Sequence, residues 1–341
     1  MTIPDSPTID RLVAAAGLGT VNDLTPMIGG ANNRVFRVQA EHGPALVKAY
    51  FRHPDDPRDR LATEFAFSRF AWTSGIQSIA QPLGCDPEEG IGLFGWVNGK
   101  PPSSTDVSEE VLRQATDFVR DLNAARWRSH AALLPAASEA CFRITDHLAI
   151  VNRRVEGLTT TTNSTALQFV REELVPRWES VRPVAESMAR GSGLSLDRLL
   201  EPTERCVSPS DFGFHNALLE PTGRVRFLDF EYAGWDDPAK LICDFFCQPR
   251  TPVPAWHFEP FSRAVADLFP NPEMVIARAR LLLPVYRVKW VCIRLNEFLP
   301  MGSRRRVFSS SHDEIEVRES WQLALARDAL TAIHDRKEVF A

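Results

Sequence analysis

The chain has 341 residues, of which 44% are hydrophobic and 24% charged, so it can bury a substantial core and does not have the composition of a disordered protein. Its formal net charge of −5 gives no general attraction to nucleic acid or to anionic membranes. No apolar run approaches the roughly 20 residues that a membrane-spanning helix requires.

The N-terminus lacks the basic and apolar regions of a signal peptide. The six cysteines are scattered and form no C-x-x-C pair, which favours reduced thiols over a disulfide scaffold or a zinc site. We therefore expect a cytoplasmic protein with no nucleic-acid or membrane partner. The sequence does not indicate an oligomeric state.

A glycine-containing turn is the first candidate binding feature along the chain. The alternating residues at 35–38 predict a strand after it, and Ile28 precedes it. Glycine tolerates positive φ and has no Cβ, so backbone N–H groups of such a turn can approach phosphates closely. Most Gly-Gly turns are plain hairpins, which is the alternative. The candidate nucleotide-binding residues here are Gly29, Gly30, Asn32 and Asn33.

A lysine and a glutamate follow on neighbouring predicted elements. The apolar run at 44–47 predicts a strand that leads into Lys48, and helical spacing at 58–70 predicts a helix that carries Glu64. Lys48 could place its charge on the α and β phosphates of a nucleotide, with Glu64 positioning it. The alternatives are a lysine that extends into solvent and an ordinary surface glutamate.

The rest of the chain has a mostly helical pattern. Residues 93–99 predict a strand that runs into a glycine-marked break, with Trp96 and Val97 beside the break. Apolar residues at helical spacing then predict helices at 107–125, 165–190, 237–248, 256–268, 272–298 and 312–336.

Two acids and an amide form the strongest candidate site. Asn216 follows Asp211 by five positions, and Asp229 follows Asp211 by 18. Phosphoryl transfer needs a carboxylate to orient and deprotonate the attacking hydroxyl, and hard oxygen ligands for Mg²⁺. We predict Asp211 as the base and Asn216 and Asp229 as Mg²⁺ ligands, with Asp229 held by a short strand that a turn at 223–224 introduces. Asp and Asn are also common in turns, so the prediction depends on the occurrence of all three residues at this spacing.

These motifs resemble those of the aminoglycoside phosphotransferase and choline kinase family, relatives of the protein kinases. The family's H-G-D-x-x-x-x-N loop corresponds to 209–216, its I-D-[FWY]-E block to 228–231, and its G-G-x-x-N-x-x-[YF]-x-V turn to 29–38. The letters D-F-G at 211–213 are not the metal-binding triplet of kinases, because nothing suitable precedes them to act as a base.

The resemblance, which spans about 25–250, implies an α+β, protein-kinase-like two-lobed fold. A small antiparallel-sheet N-lobe would occupy 1–97, and a larger, mostly helical C-lobe would occupy 98–341. The break after the strand would then be the hinge, with Trp96 and Val97 near the adenine edge; an ordinary strand end is the alternative. ATP and Mg²⁺ are the implied cofactors, and a small molecule is the implied acceptor.

The catalytic loop departs from the family pattern. Pro209 and Ser210 stand where the family usually has His and Gly, and the family's His mainly holds the loop in shape. His215 lies four positions after Asp211, whereas many members have a histidine two positions after the base. We assign His215 no catalytic role and interpret it as a histidine that is hydrogen-bonded to neighbouring groups or that supports the loop.

The acceptor of this family binds in the helical lobe. Candidate residues are Tyr232, Trp235, Asp237, Trp290 and Asn296, although aromatic residues on helices are usually core. The predicted helix around 284–298 carries Arg287, Lys289 and Arg294, with Glu297 as its only acid. This charge favours a neutral or anionic metabolite over a polycationic aminoglycoside, unless these residues are simply a solvated face.

We therefore predict a small-molecule O-kinase that transfers the γ-phosphate of ATP to a hydroxyl of a sugar, an amino alcohol or a related metabolite. The alternative is a catalytically weak pseudokinase that serves as a nucleotide-binding regulatory module. Pro209 supports that alternative, and retention of the charged positions argues against it.

Overall fold

A five-stranded antiparallel sheet forms the N-terminal part of a computed structural model that describes residues 6–27, 33–309 and 315–334. The strand order is β1-β2-β3-β5-β4. The predicted strands around 35–38 and 44–47 are confirmed, and Lys48 lies in β3 opposite Val35 and Gly92. The strands are β1 (Val21–Met27), β2 (Arg34–Ala40), β3 (Gly43–Ala49), β4 (Pro82–Asp86) and β5 (Ile91–Gly95).

Two helices pack with this sheet. The sequence analysis did not predict α1 (Ser6–Ala15), which buries Ile9, Leu12 and Val13 in one core with apolar residues of β2, β3 and β5. The predicted helix that carries Glu64 is confirmed as α2 (Arg60–Thr73). It begins where the Asp59 carboxylate accepts a hydrogen bond from the Ala62 N–H at 2.9 Å, which satisfies one of the free donors of the first turn.

Short strands surround the predicted catalytic loop. One hairpin consists of β7 (Ala217–Leu219) and β8 (Val225–Phe227), in the register Ala217 opposite Phe227. A second two-stranded sheet pairs β6 (Cys206–Ser208) with β9 (Gly234–Asp236).

The remainder is mostly helical, and the predicted helices are found with shifted ends. The predicted helix at 165–190 is interrupted by a π-helical turn at Val170–Leu174, and the α-helix predicted to reach residue 298 ends at Arg294. The sequence analysis did not predict α4 and α10. The helices are α3 (Glu109–Ala124), α4 (Ile144–Leu158), α5 (Ser164–Phe169), α6 (Val175–Gly191), α7 (Pro238–Cys247), α8 (Phe258–Ala266), α9 (Pro272–Arg294), α10 (Pro300–Ser309) and α11 (Ile315–Thr331).

The chain divides into two compact units. The first lies within Met1–Ser138, Pro209–Gly234 and Arg305–Ser311, and the second within Glu139–Ser208, Trp235–Arg304 and His312–Ala341. The first unit contains both the sheet and the predicted catalytic loop, so the units do not coincide with the predicted lobes; a lobe boundary after residue 97 stays a prediction. Within the described ranges, no helix has both the length and the apolar character needed to cross a membrane.

Candidate active site

The β7–β8 hairpin brings Asn216 and Asp229 to the same end of two paired strands. The Leu228 N–H donates to the Asn216 carbonyl oxygen at 2.9 Å, directly beyond the Ala217–Phe227 pair. The predicted short strand is confirmed as β8, but it ends at Phe227 and does not extend to Asp229 as predicted. Asp229 instead has a left-handed backbone conformation, with φ of 68°.

The Asp211 carboxylate accepts hydrogen bonds on both of its oxygens. The Asn216 side-chain Nδ2 donates to Asp211 Oδ2 at 3.2 Å and to the Asp211 backbone oxygen at 2.9 Å. The His215 Nε2 lies 3.1 Å from Asp211 Oδ1. Because the amide nitrogen of Asn216 points to Asp211, its carbonyl oxygen is the group that could bind a metal. The sequence analysis missed the direct contact of His215, since its distance from Asp211 along the chain is not that of the family pattern.

Lys48 joins the sheet to two carboxylates from distant parts of the first unit. Its ammonium donates to Glu64 Oε2 at 2.6 Å and to Asp229 Oδ1 at 2.6 Å. The side chains of Lys48 and Glu64 are 9% and 5% exposed, against 38% for Asp229. The Tyr50 hydroxyl donates to the same oxygen of Glu64 at 2.7 Å. The structure therefore joins Asp229 to the Lys48–Glu64 pair that the sequence predicted.

The charges around Lys48 shift its pKa and those of its neighbours. Burial alone would lower the pKa of Lys48, but Asp229, Glu64 and Glu231 outweigh it and raise that pKa, so the ammonium stays charged. Burial and then Asp229 raise the pKa of Glu64, against the opposite effect of Lys48. Carboxylates thus outnumber cations at this point of the first unit, which is the electrostatic setting that a divalent cation would favour.

Glu231 is a further residue that the sequence analysis missed. Its Oε2 accepts from Asn33 Nδ2 at 2.6 Å, and its Oε1 lies 3.7 Å from Arg60 Nε. Burial and the nearby Asp229 raise its pKa. Asn33 also accepts from the Phe51 N–H at 3.3 Å, so the side chain predicted to bind nucleotide is held by protein groups. The glutamate of the I-D-[FWY]-E block was the available signal for Glu231.

The other nucleotide-binding candidates are described only in part. Gly29, Gly30 and Asn32 lie outside the described residues. Trp96 and Val97 follow the end of β5 and are partly exposed, and the Arg37 guanidinium lies 4.9 Å from the Trp96 ring centroid.

The donor set fits a magnesium ion held jointly with a nucleotide. Asn216 and Asp229 offer an amide oxygen and a carboxylate, both hard ligands. No group of three or more His, Cys, Asp or Glu side chains with metal-binding geometry occurs in the described part of the chain. A Mg²⁺ ion that takes its other ligands from phosphates and water would not require such a group.

Two of the acceptor candidates are buried and hydrogen-bonded inside the second unit. Asp237 accepts from the Ala239 N–H at 2.8 Å at the start of α7, lies 3.0 Å from His147 Nε2, and is paired with Arg278. Trp290 donates from Nε1 to Asp244 at 3.0 Å. These contacts favour structural roles for Asp237 and Trp290.

The remaining acceptor candidates are partly exposed. Tyr232 lies in the first unit beside Arg60, whose guanidinium is 5.9 Å from its ring centroid. Trp235 lies in β9, and Asn296 lies in the 3₁₀ turn after α9. Lys289 is buried with its ammonium 3.2 Å from Asp244, so it does not belong to a solvated face.

The sequence places the chain in a known family. Residues 23–247 match the model of the phosphotransferase enzyme family (APH), and the chain belongs to this family. None of the curated protein sequences compared with the chain matches it significantly.

Solved structures of three kinases and phosphotransferases are similar to this chain. A choline/ethanolamine kinase family protein from Mesorhizobium loti matches 97% of the chain over 96% of its own length, with 18% identity and a TM-score of 0.59. Choline kinase LicA from Streptococcus pneumoniae matches 96% over 98%, with 15% identity and a TM-score of 0.55. The AMP-bound spectinomycin phosphotransferase APH(9)-Ia matches 99% over 100%, with 10% identity and a TM-score of 0.62. At these identities the likeness concerns the fold, and the predicted α+β, protein-kinase-like two-lobed class is confirmed.

Proposed function

We propose that this protein transfers the γ-phosphate of ATP to a hydroxyl group of a small molecule, such as a sugar, an amino alcohol or a related metabolite. Membership of the phosphotransferase enzyme family supports the reaction class. The similar structures are named as a choline/ethanolamine kinase family protein and as a phosphotransferase with bound AMP, which supports a small acceptor and an adenine nucleotide.

One observation carries the proposal: the Lys48 ammonium contacts Glu64 and Asp229 at 2.6 Å each. A purely structural ion pair would be complete with the buried Glu64. The second partner, Asp229, is a partly exposed carboxylate in a left-handed backbone conformation, which is the kind of strained position that clusters at functional sites.

Each residue has a defined task in this proposal. Asp211 would orient the acceptor hydroxyl and accept its proton, and Lys48, positioned by Glu64, would hold the phosphates together with the turn that the sequence predicts around Gly29 and Gly30. Asn216 and Asp229 would bind Mg²⁺, because they occupy the positions of the metal-binding asparagine and aspartate of the kinase pattern. When bound, ATP would supply the phosphoryl group, and Mg²⁺ would supply positive charge to its phosphate oxygens.

Within this class, our narrower hypothesis for the acceptor is a neutral or anionic metabolite, such as a sugar or alcohol, and not a cationic amino alcohol. Arg287 and Arg294 of α9 are partly exposed, whereas Lys289 is committed to Asp244. Turnover of aminoglycosides at micromolar KM would contradict this part of the proposal. A cytoplasmic location and the lack of a nucleic-acid partner stay predictions.

The test compares the wild type with Asp211→Asn for ADP release from Mg-ATP against a panel of sugars, amino alcohols and aminoglycosides. We expect turnover of at least one acceptor by the wild type and a loss of about 10²–10⁴-fold in the variant, with nucleotide affinity retained, because one positioned proton acceptor contributes about that much. Asp10→Asn, on the exposed side of α1, is the matched control. If both proteins bind Mg-ATP and neither turns it over, the pseudokinase alternative holds.

A further inference from the structure

We propose that His215 is a positioning residue, which holds the Asp211 carboxylate in the orientation that proton acceptance requires. This inference rests on the proposed function, in which Asp211 is the base. In this role His215 orients the Asp211 carboxylate itself and does not maintain the shape of the surrounding loop.

Each oxygen of the Asp211 carboxylate lies within hydrogen-bond distance of a side-chain nitrogen. His215 Nε2 lies 3.1 Å from Asp211 Oδ1, and Asn216 Nδ2 lies 3.2 Å from Oδ2. A carboxylate can only accept hydrogen bonds, so the His215 Nε2–H is the donor. The χ2 torsion of aspartate has a broad distribution, and one donor on each oxygen restricts this rotation. Both donors come from one 3₁₀ turn, Phe214–Asn216, so they are fixed relative to each other.

His215 also has the exposure expected of a positioning group. Its side chain is 10% exposed, against 32% for Asp211. The carboxylate can therefore meet a substrate hydroxyl while the imidazole is largely covered by protein. A group that touched the substrate itself would need the opposite arrangement.

The loop has anchors other than His215. Phe212 and Phe214 are buried on either side of Gly213, and the Phe212 ring packs against Phe118 and Phe227 at 5.9 and 5.2 Å. Burial of apolar aromatic surface is strongly favourable, so two buried rings are strong anchors for so short a loop. Pro209, which stands where the family has its loop histidine, has no side-chain donor. The structure thus separates anchoring, by the two phenylalanines, from orientation of the base, by His215 and Asn216.

A double-mutant cycle tests this directly, because a residue that acts only through Asp211 has nothing left to act on once Asp211 is changed. The four proteins are the wild type, His215→Ala, Asp211→Asn and the double variant, assayed for ADP release with the best acceptor of the panel. We expect His215→Ala to lower kcat by about 10–100-fold, since small misplacements of a catalytic group have effects of this size. Nucleotide Kd should stay within about twofold, and in the Asp211→Asn background the same change should have no further effect.

Two further variants separate positioning from folding. His215→Gln places an N–H donor at a similar reach and should restore most of the lost kcat, which loss of a bracing ring would not allow. His42→Ala, at an exposed histidine of the β2–β3 turn, should behave as the wild type. An equal fold-loss from His215→Ala in both backgrounds, or a loss confined to the unfolding midpoint, would overturn the proposal.

Failure of the proposed function gives a different pattern. A fully active Asp211→Asn variant would remove the base assignment, and the role of His215 with it. If the wild type turns over no acceptor, the contact is tested by the same cycle in thermal unfolding. Non-additive midpoint shifts would then support the hold on the carboxylate, and additive shifts would overturn it.

Discussion

Each compact unit buries a cluster of charged side chains, and the two clusters are built differently. In the first unit, Lys48 lies among Glu64, Asp229 and Glu231, and the Asp229 side chain is 38% exposed. In the second unit, Asp236 and Asp237 are fully buried, as is Lys240, which pairs with Asp236.

The acids of the two clusters also differ in how burial and neighbouring charge balance, with Asp236, whose pKa burial raises, as the exception in the second cluster. Burial raises the pKa of Glu64 and Glu231, and their cationic neighbours do not outweigh it. Burial would also raise the pKa of Asp237, but Arg278 and His147 outweigh burial and lower it. The first cluster therefore has two buried carboxylates that are short of positive charge, beside Asp229, which reaches solvent, and this arrangement suits binding. The second has an acid that is fully matched inside the protein, which suits stability.

The largest effect should come from breaking the matched cluster. Asp237→Asn would leave Arg278 buried without its counter-charge, and removal of one partner of a buried pair costs about 3–5 kcal/mol. Chemical unfolding of the variant measures this loss. Asp267→Asn, at an exposed aspartate in the same unit, should change the unfolding free energy by less than about 0.5 kcal/mol. A near-wild-type stability of Asp237→Asn, with a raised KM for the acceptor, would return Asp237 to the acceptor site.

The pH dependence of the same comparison follows from the sign of the shift. Because the folded pKa of Asp237 lies below its unfolded value of about 3.9, the folded state binds this proton less tightly. The stabilisation by Asp237 is thus fully present above about pH 5 and is lost as the pH falls below about 3.9. The difference in unfolding free energy between wild type and Asp237→Asn should shrink over that acidic range.

The sequence distinguishes the binding cluster from the structural cluster only in part, and the reason is physical. Lys48, Glu64 and Asp229 could be proposed together because each stands at a motif position whose chemistry is specific. Asp237 lies outside the motif at 228–231, and a carboxylate at a helix start has the same sequence whether it caps the helix, pairs internally or binds a ligand. Its partners His147 and Arg278 are 90 and 41 positions away, so only the folded chain shows the pairing.

Some elements of the fold could likewise be predicted from the sequence, and others could not. Alternation and apolar runs predicted the strands around Lys48, because each strand alternates between a buried and an open face. Helix α1 was missed, since it is a short segment whose Ile9, Leu12 and Val13 are buried only against the sheet. The left-handed φ of Asp229 was also beyond prediction, because nothing in the residue type requires it.

The next effect should appear in activity and not in stability. Asp229→Asn keeps the shape of the side chain but removes the charge that we propose for the metal. We expect a loss in kcat of about 10²–10³-fold, comparable to removal of one preorganised electrostatic group. The unfolding free energy should change little, because Glu64 remains to pair with Lys48 and one source of carboxylate repulsion is gone. Steady-state kinetics and chemical unfolding of the same samples, with Asp10→Asn as the control, measure both. A loss of stability as large as that of Asp237→Asn would mean that the first cluster is also structural.

The smallest effect concerns backbone strain, which the first cluster has and the paired acids of the second do not. Among the described residues, the non-glycine residues with positive φ are Glu139, Ser210 and Asp229; Asp229 belongs to the candidate site, and Ser210 directly precedes Asp211. An L-residue in this conformation costs roughly 1–2 kcal/mol, and glycine gives back about 0.5–1 kcal/mol of that through its more flexible unfolded chain. Ser210→Gly should therefore raise the unfolding free energy by about 0.5–1 kcal/mol.

The matched control for this strain is Ser74→Gly, at the end of α2 with an ordinary φ of −83°. There glycine relieves no backbone strain. We expect the free energy of unfolding to fall by about 0.5–1 kcal/mol, because the unfolded chain gains the same conformational freedom. Chemical unfolding of the two variants side by side gives the difference in sign. If Ser210→Gly is as destabilising as Ser74→Gly, contacts of the serine side chain outweigh its backbone strain. The glycine that the family usually carries at this position would then bring no gain in stability to this chain.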